Sequence, residues 1–385
     1  MPADQLLSFL RSRLDDYLKD LAELSAMDCG TYDKAGVDAV GRIMGEKYAA
    51  LGFAVERHDG GELGDSLVVR WQGGGTARLL LIGHLDTVYA RGWPGEHPFT
   101  IEGELARGPG TADMKGGLLS GYYALEALKS EGFDHFAEIA FVLNSDEEIG
   151  SPSSRALIAR EARGRDATLV LEPGRENGDI VSARKGLASF TLRVQGRAAH
   201  AGVEIHKGRN AVHELAHQII ELQALNGRIP GATLNVGVVQ GGTRPNVVPA
   251  EASAQIDVRA FERAGLDAII AAMRECTSST IVPETTVTLE GGITNGPMER
   301  TAGTEWLLGL CREAAADAGF ELHDAATGGG SDGNTTAGLG VPTLDGLGPV
   351  GGAAHSPREY LEIPSIVPRT AMLAGLIRRI AASKP

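Results

Sequence analysis

Four short apolar runs, at residues 66–71, 79–83, 138–143 and 168–171, constrain this chain more than any other feature. Each is rich in Val, Ile or Leu and stops at polar residues or glycine. Runs of this length without alternation suit strands buried on both faces of a sheet. Helical apolar spacing covers 3–24 and 37–51 before and around them, and 114–130 and 152–163 between them. Strand and helix in turn predict an α/β layered domain.

From about residue 185 the texture changes. Residues 187–194 and 233–239 alternate apolar and polar positions, 252–258 do so more loosely, and helical spacing covers 210–225 and 266–276. That pattern predicts an antiparallel sheet with helices on one face, a ferredoxin-like α+β arrangement. Beyond 292 the first texture returns, with a helix over 304–318, a Gly-rich turn at 327–332, a strand at 342–347 and a closing helix over 365–382. The simplest architecture is one layered domain, 1–184 with 293–385, interrupted by an inserted domain at 185–292.

A length of 385 residues with 43% apolar composition can fill two such cores. The formal net charge of −14, without a basic stripe, argues against nucleic acid and anionic membrane as partners. Cys29, Cys276 and Cys311 are odd in number and form no CxxC pair, so a disulfide framework is not expected. The N-terminal stretch is amphipathic and lacks the basic start and apolar run of a signal peptide, and no stretch approaches the ~18 apolar residues of a membrane span. These features predict a cytoplasmic protein.

The chemistry gathers where the strands end. His84 and Asp86 follow the run at 79–83 with one residue between them, and in extended backbone i and i+2 face the same way. Asp86 could ligate a metal beside His84 or hold its imidazole in one tautomer; taken alone, the pair is equally a polar strand end. Asp113 is the single acid in GPGTADMKGG, a glycine-crowded turn into a helix, where it could instead be a helix cap. Asp146, Glu147 and Glu148 stand in a row after the run at 138–143, and adjacent carboxylates repel unless a cation or solvent compensates. Glu172 closes the fourth run, and His355 sits alone in the small-residue loop GGAAHSP. Together, two imidazoles and several carboxylates at successive strand ends suit zinc. A carboxylate shared by two metals would account for so many acids in one place.

GHLDTVY, GPGTADMKGG, SDEEIGS, LEP, GRAAHAG, GGGSD and AHSP, spread over residues 83 to 357, resemble the M20 family of zinc metallopeptidases. Within it they look closest to the glutamate carboxypeptidase (carboxypeptidase G2-like) branch. The resemblance implies a di-zinc catalytic domain with an inserted lid and dimerisation domain, and two Zn2+ per subunit, with Co2+ or Mn2+ as substitutes. It implies His84 and Glu172 on one ion, Glu148 and His355 on the other, and Asp113 bridging, with a cis peptide bond after it. Asp86 would orient His84, Glu147 would be the general base, and His200 would reach the partner subunit's site of a homodimer to stabilise the oxyanion.

Arg259 and Asn246 match positions that bind the substrate carboxylate in that branch, and Thr327 and Gly330 match positions lining its pocket. The sequence departs from the branch at SARKG, where Arg184 and Lys185 replace a cation expected slightly earlier; this puts glutamate itself in question. The expected reaction is release of a C-terminal amino acid from a small N-acyl amino acid or short peptide, folate-like substrates included. Three alternatives remain: an N-acyl amino acid deacylase resembling acetylornithine deacetylase, an aminopeptidase, and a metal-containing binding protein without activity. Retention of Glu147 speaks against the last, and the basic character of the pocket against the second.

Overall fold

The computed structural model describes residues 3–383. The chain forms two compact units. One takes the described residues up to 182, 300–326 and those from 331 on; the other takes 183–299 and 327–330.

The larger unit is built on a six-stranded sheet. Its strands are β1 (Ala54–His58), β2 (Ser66–Gln72), β3 (Arg78–His84), β4 (Glu138–Asn144), β5 (Ala167–Val170) and the two-residue Thr343–Leu344, in the order β1-β2-β4-β3-β5 and then Thr343–Leu344. β3 runs parallel to both β4 and β5, while β2 and β1 turn antiparallel at one edge. Alternate residues feed two cores. Leu79, Leu81, Phe141 and Leu169 join one large cluster with the helices Lys34–Ala50, Gly116–Ser130 and Ile363–Ala382. Leu80, Ile82, Val142 and Val170 pack against Leu157 and Ile158 on the other side. Burial on both faces is why these runs read as continuously apolar, as expected for an α/β layer.

The smaller unit has β6 (Gly186–Gln195), β7 (Thr233–Gly241), β8 (Glu251–Ala260) and β9 (Thr286–Asn295), all antiparallel in the order β7-β8-β6-β9. Helices Ala211–Gln223 and Arg263–Cys276 supply Leu215, Leu222, Ile269 and Met273 to its core. The chain order β-α-β-β-α-β is the ferredoxin-like arrangement. The expected break after 292 is displaced to 299, because β9 continues through Gly291 and Gly292 to Asn295 against β6.

Other differences have local causes. The helix expected over 3–24 is two, Ala3–Ser12 and Leu14–Ser25, with Arg13 between them donating its Nε–H to Glu126 at 3.1 Å. The strand expected over 342–347 keeps only Thr343–Leu344, since Asp345 bridges Val181 and accepts the Ser331 hydroxyl. β1 carries Glu56, Arg57 and His58 and is largely exposed, so it gave no apolar signal. Among the described residues no helix is long and apolar enough to cross a membrane.

Candidate metal centre

Parallel strands end on one edge of a sheet, and that edge holds the polar cluster. β3 ends at His84, β4 at Asn144 just before the Glu147–Ile149 turn, and β5 at Val170 just before Glu172. Asp113 reaches the same place from the turn Thr111–Lys115, where the Asp113–Met114 peptide bond is cis; Asp113 and Met114 have non-helical backbone, and the expected helix starts at Gly116. That helix start must approach β5 closely: a Cβ on Gly117 would lie 1.9 Å from the Leu171 carbonyl oxygen, so only glycine fits. His355 arrives from the far end of the sequence with φ at +62°, a left-handed backbone that a side chain disfavours.

The atoms form two triads that share Asp113. His84 Nε2 lies 3.0 Å from Asp113 Oδ1 and 3.7 Å from Glu172 Oε1. His355 Nε2 lies 3.2 Å from Asp113 Oδ2 and 3.1 Å from Glu148 Oε2. Within each triad the donor atoms stay within 4.8 Å of one another. Donors about 2.1 Å from a tetrahedral ion stand about 3.4 Å apart, so the spacing matches the edge of a coordination shell. The two Asp113 oxygens face different imidazoles, the disposition a bridging carboxylate needs. Glu148 Oε1 is buried without any hydrogen-bond partner, a cost that a cation would remove. The residues therefore fit divalent metal.

Electrostatics point the same way. Burial alone would raise Asp113, but hydrogen bonds from His355 and His84 hold its carboxyl well below the usual range. Those bonds push His355 up to about 10, with Asp113 the larger cause and Glu148 the next. Burial pushes Glu172 well above an ordinary carboxyl, and the charge of Asp113 adds to it. Burial also drives Glu147 well upward; His84 opposes this, while Asp332, Asp113 and Glu148 reinforce it. A cluster so crowded with acids is stable as carboxylates only around positive charge.

Behind the triads lies a layer of buried carboxylates. The Asp86 main-chain oxygen lies 3.0 Å from His84 Nδ1, and its carboxylate accepts from the Thr31 hydroxyl at 2.6 Å and from the amides of Glu147 and Glu148 at 3.2 and 3.3 Å. Asp86 thus touches both His84 and the acidic turn. Asp146 faces away from the cluster, accepting from the Ser153 amide and hydroxyl at 2.6 and 2.7 Å; the row of three acids is two toward the centre and one holding the loop behind it. Asp332 accepts from Asn144 Nδ2 at 2.7 Å and the Ser151 hydroxyl at 2.5 Å. Glu359 accepts from the amides of Gly110, Ala112 and Asp113 at 2.9–3.0 Å and from the Tyr89 hydroxyl at 2.6 Å.

Sequence reasoning missed Glu359. Its one signal is position, four residues beyond His355 on the same loop. Glu359→Gln turns a carboxamide donor toward amides that are themselves donors, so the Asp113 loop loses its template. We expect metal affinity to fall about 10–100-fold, measured by chelator competition.

The remaining expected site residues belong to the smaller unit, where they form two groups. Lys185 N donates to the Thr327 carbonyl at 3.0 Å, Arg259 Nη1 to that of Gly328 at 2.8 Å, and Arg184 Nη1 to that of Gly329 at 3.3 Å. Two guanidinium groups thus reach the segment that contains Thr327 and Gly330, while Lys185 meets it through its backbone amide and turns its ammonium to the Thr233 hydroxyl at 3.3 Å; Asp257 accepts from Arg259 Nε at 2.9 Å. The second group is exposed His200 and Asn246 on paired segments: His200 bridges Val247, and the Ala201 amide donates to the Asn246 carbonyl at 3.0 Å. β6 separates the groups. Arg259 pairs with Leu187 near its start, whereas His200 follows its end at Gln195. Ten residues of strand span about 30 Å. Arg259 and Asn246 of one copy of the chain therefore stand at opposite ends of this sheet.

Comparison with known proteins gives the same picture over almost the whole length. Residues 80–379 match Peptidase family M20/M25/M40. The chain is 32% identical over 377 residues to carboxypeptidase G2 of Pseudomonas sp. (strain RS-16), covering 95% of this chain and 90% of that protein. It is 29% identical over 359 residues to a succinyl-diaminopimelate desuccinylase of Azoarcus sp. (strain BH72), covering 88% and 92%. Among solved structures, the aminopeptidase PepT of Bacillus cereus ATCC 10987 superposes with a TM-score of 0.81 at 24% identity, covering 96% of this chain and 99% of that one.

Proposed function

The chain belongs to Peptidase family M20/M25/M40 and is a hydrolase of amide bonds, and from that premise we propose a two-zinc carboxypeptidase that releases a C-terminal amino acid from N-acyl or short peptidyl substrates. Glutamate is the first candidate for that amino acid, and folate-like conjugates are candidate substrates. The observation that carries the proposal is the pair of triads sharing Asp113, with Glu147 beside them.

In this reading His84 and Glu172 hold one zinc ion, Glu148 and His355 the other, and Asp113 both; Co2+ or Mn2+ would substitute. A metal pair supplies Lewis acidity and water acidified to near neutrality. Glu147 takes the proton of the attacking water and delivers it to the leaving nitrogen, a role worth about 10²–10⁴-fold. Asp86 keeps His84 in one tautomer and the 147–148 turn in register. Arg259, with Arg184 and Lys185, supplies the positive charge that a substrate carboxylate needs, once Arg259 exchanges Asp257 for it. Because His200 and Asn246 lie at the other end of β6, they serve the site of a second copy, His200 at the oxyanion, in a homodimer formed through the smaller unit. Three free cysteines support a cytoplasmic setting.

The relative named as a desuccinylase favours a second reading, deacylation of N-acyl amino acids chosen for their acyl group. A panel of N-acyl amino acids assayed with zinc separates the two. The carboxypeptidase reading expects one amino acid, glutamate first, to dominate across acyl groups. It also expects Arg259→Ala to raise KM about 10–100-fold for carboxylate-bearing substrates and much less for their amides. Equal loss on both would remove Arg259 from the pocket.

A further inference from the structure

Residues 213–217 read HELAH, on the helix Ala211–Gln223 of the smaller unit. Histidines four residues apart share one face of a helix, and HExxH on a helix is a spacing that holds zinc, with its glutamate as base. Here the two imidazoles meet. His213 Nε2 lies 3.2 Å from His217 Nε2, and the ring centroids are 5.0 Å apart. At a metal–imidazole bond of about 2.0–2.1 Å, nitrogens 3.2 Å apart subtend about 100° at a shared ion. That angle falls between those of square-planar and tetrahedral shells. His213 is exposed and His217 half-buried, so an ion reaches the pair from solvent.

The glutamate of the motif lies on the other face. Glu214 is buried; its Oε2 accepts from the amides of Ile281 and Val282 at 2.8 and 2.7 Å, and its Oε1 from Gln218 Nε2 at 2.8 Å. A carboxylate held by three donors on the inner side of the helix cannot serve a water bound at histidines on the outer side. The motif therefore presents a chelate without hydrolytic chemistry. Among the described residues, no third His, Cys, Asp or Glu completes a triad with the pair, as happens twice around Asp113. An ion here takes two bonds from protein and the rest from solvent.

We propose that His213 and His217 form a further transition-metal site, a two-histidine chelate for one late divalent ion, built from residues other than those around Asp113. Imidazole suits Cu2+, Ni2+ and Zn2+ and not Mg2+ or Ca2+, and the order of affinity puts Cu2+ first. The inference goes beyond the carboxypeptidase reading and does not depend on it.

The test titrates zinc-loaded protein with Cu2+, following affinity by calorimetry and nitrogen coordination by electron paramagnetic resonance. Wild type is expected to bind one more Cu2+ per chain than the double variant His213→Gln with His217→Gln. Each single variant should weaken that ion about 100-fold, the loss of one of two linked ligands. Glutamine is a good helix former, and the His213 amide that Asn210 caps at 3.0 Å is unchanged, so the melting temperature without Cu2+ should match wild type. Mg2+ should produce no such difference. Equal Cu2+ binding in wild type and double variant would reduce the pair to an imidazole–imidazole hydrogen bond and overturn the site. A loss confined to one single variant would overturn the chelate as well. Because the readout is the difference between wild type and variant, it stands whatever metal the Asp113 centre holds and whatever substrate the enzyme cleaves.

Discussion

Glu147→Gln lowers kcat by about 10²–10⁴-fold and leaves metal content at the wild-type level, as read by steady-state kinetics beside elemental analysis of the same preparation. The two halves of that expectation come from different contacts. Glutamine keeps the size of the side chain, and the Glu147 amide, which donates to Asp86, is untouched. Neither triad includes Glu147, so both keep every donor. What disappears is a carboxylate able to hold a proton between the water and the leaving nitrogen. KM should change little, because an interaction made mainly in the transition state lowers kcat and kcat/KM together. Two other outcomes are informative. Loss of metal would make Glu147 a ligand. Near-normal turnover would move the base to another carboxyl, and Asp332 is one alternative, its own carboxyl pushed by burial up to about 6.

The candidate centre was legible in sequence because its residues sit where the hydrophobic pattern stops. His84 ends a buried parallel strand and Glu148 and Glu172 each follow one within a few residues, and strand ends of an α/β sheet share one edge. Asp113 and His355 were legible only through the glycine-rich and small-residue context that frees their backbones, and through the family resemblance. Apart from Asp86, marked by its place two residues after His84, the residues behind the cluster had no such mark. Asp146 looked like a third site acid because adjacency along a chain says nothing about which side chain turns inward. Glu359 and Asp332 act across 246 and 188 residues of sequence, on the Asp113 amide and the Asn144 side chain, and no periodicity reports a contact of that span. In the smaller unit, alternation placed β6, β7 and β8, but it could not show that Arg259 and Asn246 lie at opposite ends of the sheet. That follows from register, which is set by pairing rather than by pattern.

Stripping the metals should lower the melting temperature by about 5–15 °C, the consequence of losing a ligand that stabilises the folded state by several kcal/mol. The physical cause is the carboxylate crowd: without cations, Asp113, Glu147, Glu148 and Glu172 are compensated only by two imidazoles. The size of the drop should depend on pH, with a sign that His355 fixes. In the metal-free chain its imidazole gains a proton between Asp113 and Glu148, raising it from the ordinary 6.5 to about 10. A group raised on folding stabilises fully below its ordinary value, and that contribution fades as pH climbs through the raised one. The metal-free protein therefore weakens between pH 6.5 and 10. Metal needs the neutral imidazole, so binding expels that proton and becomes more favourable over the same window. The gap in melting temperature between loaded and stripped protein should widen from pH 6.5 toward pH 10, and His355→Gln should flatten the trend. A gap that stays constant or narrows would mean that His355 is not displaced from its carboxylates by a cation, and the shared role of Asp113 would have to be withdrawn with it.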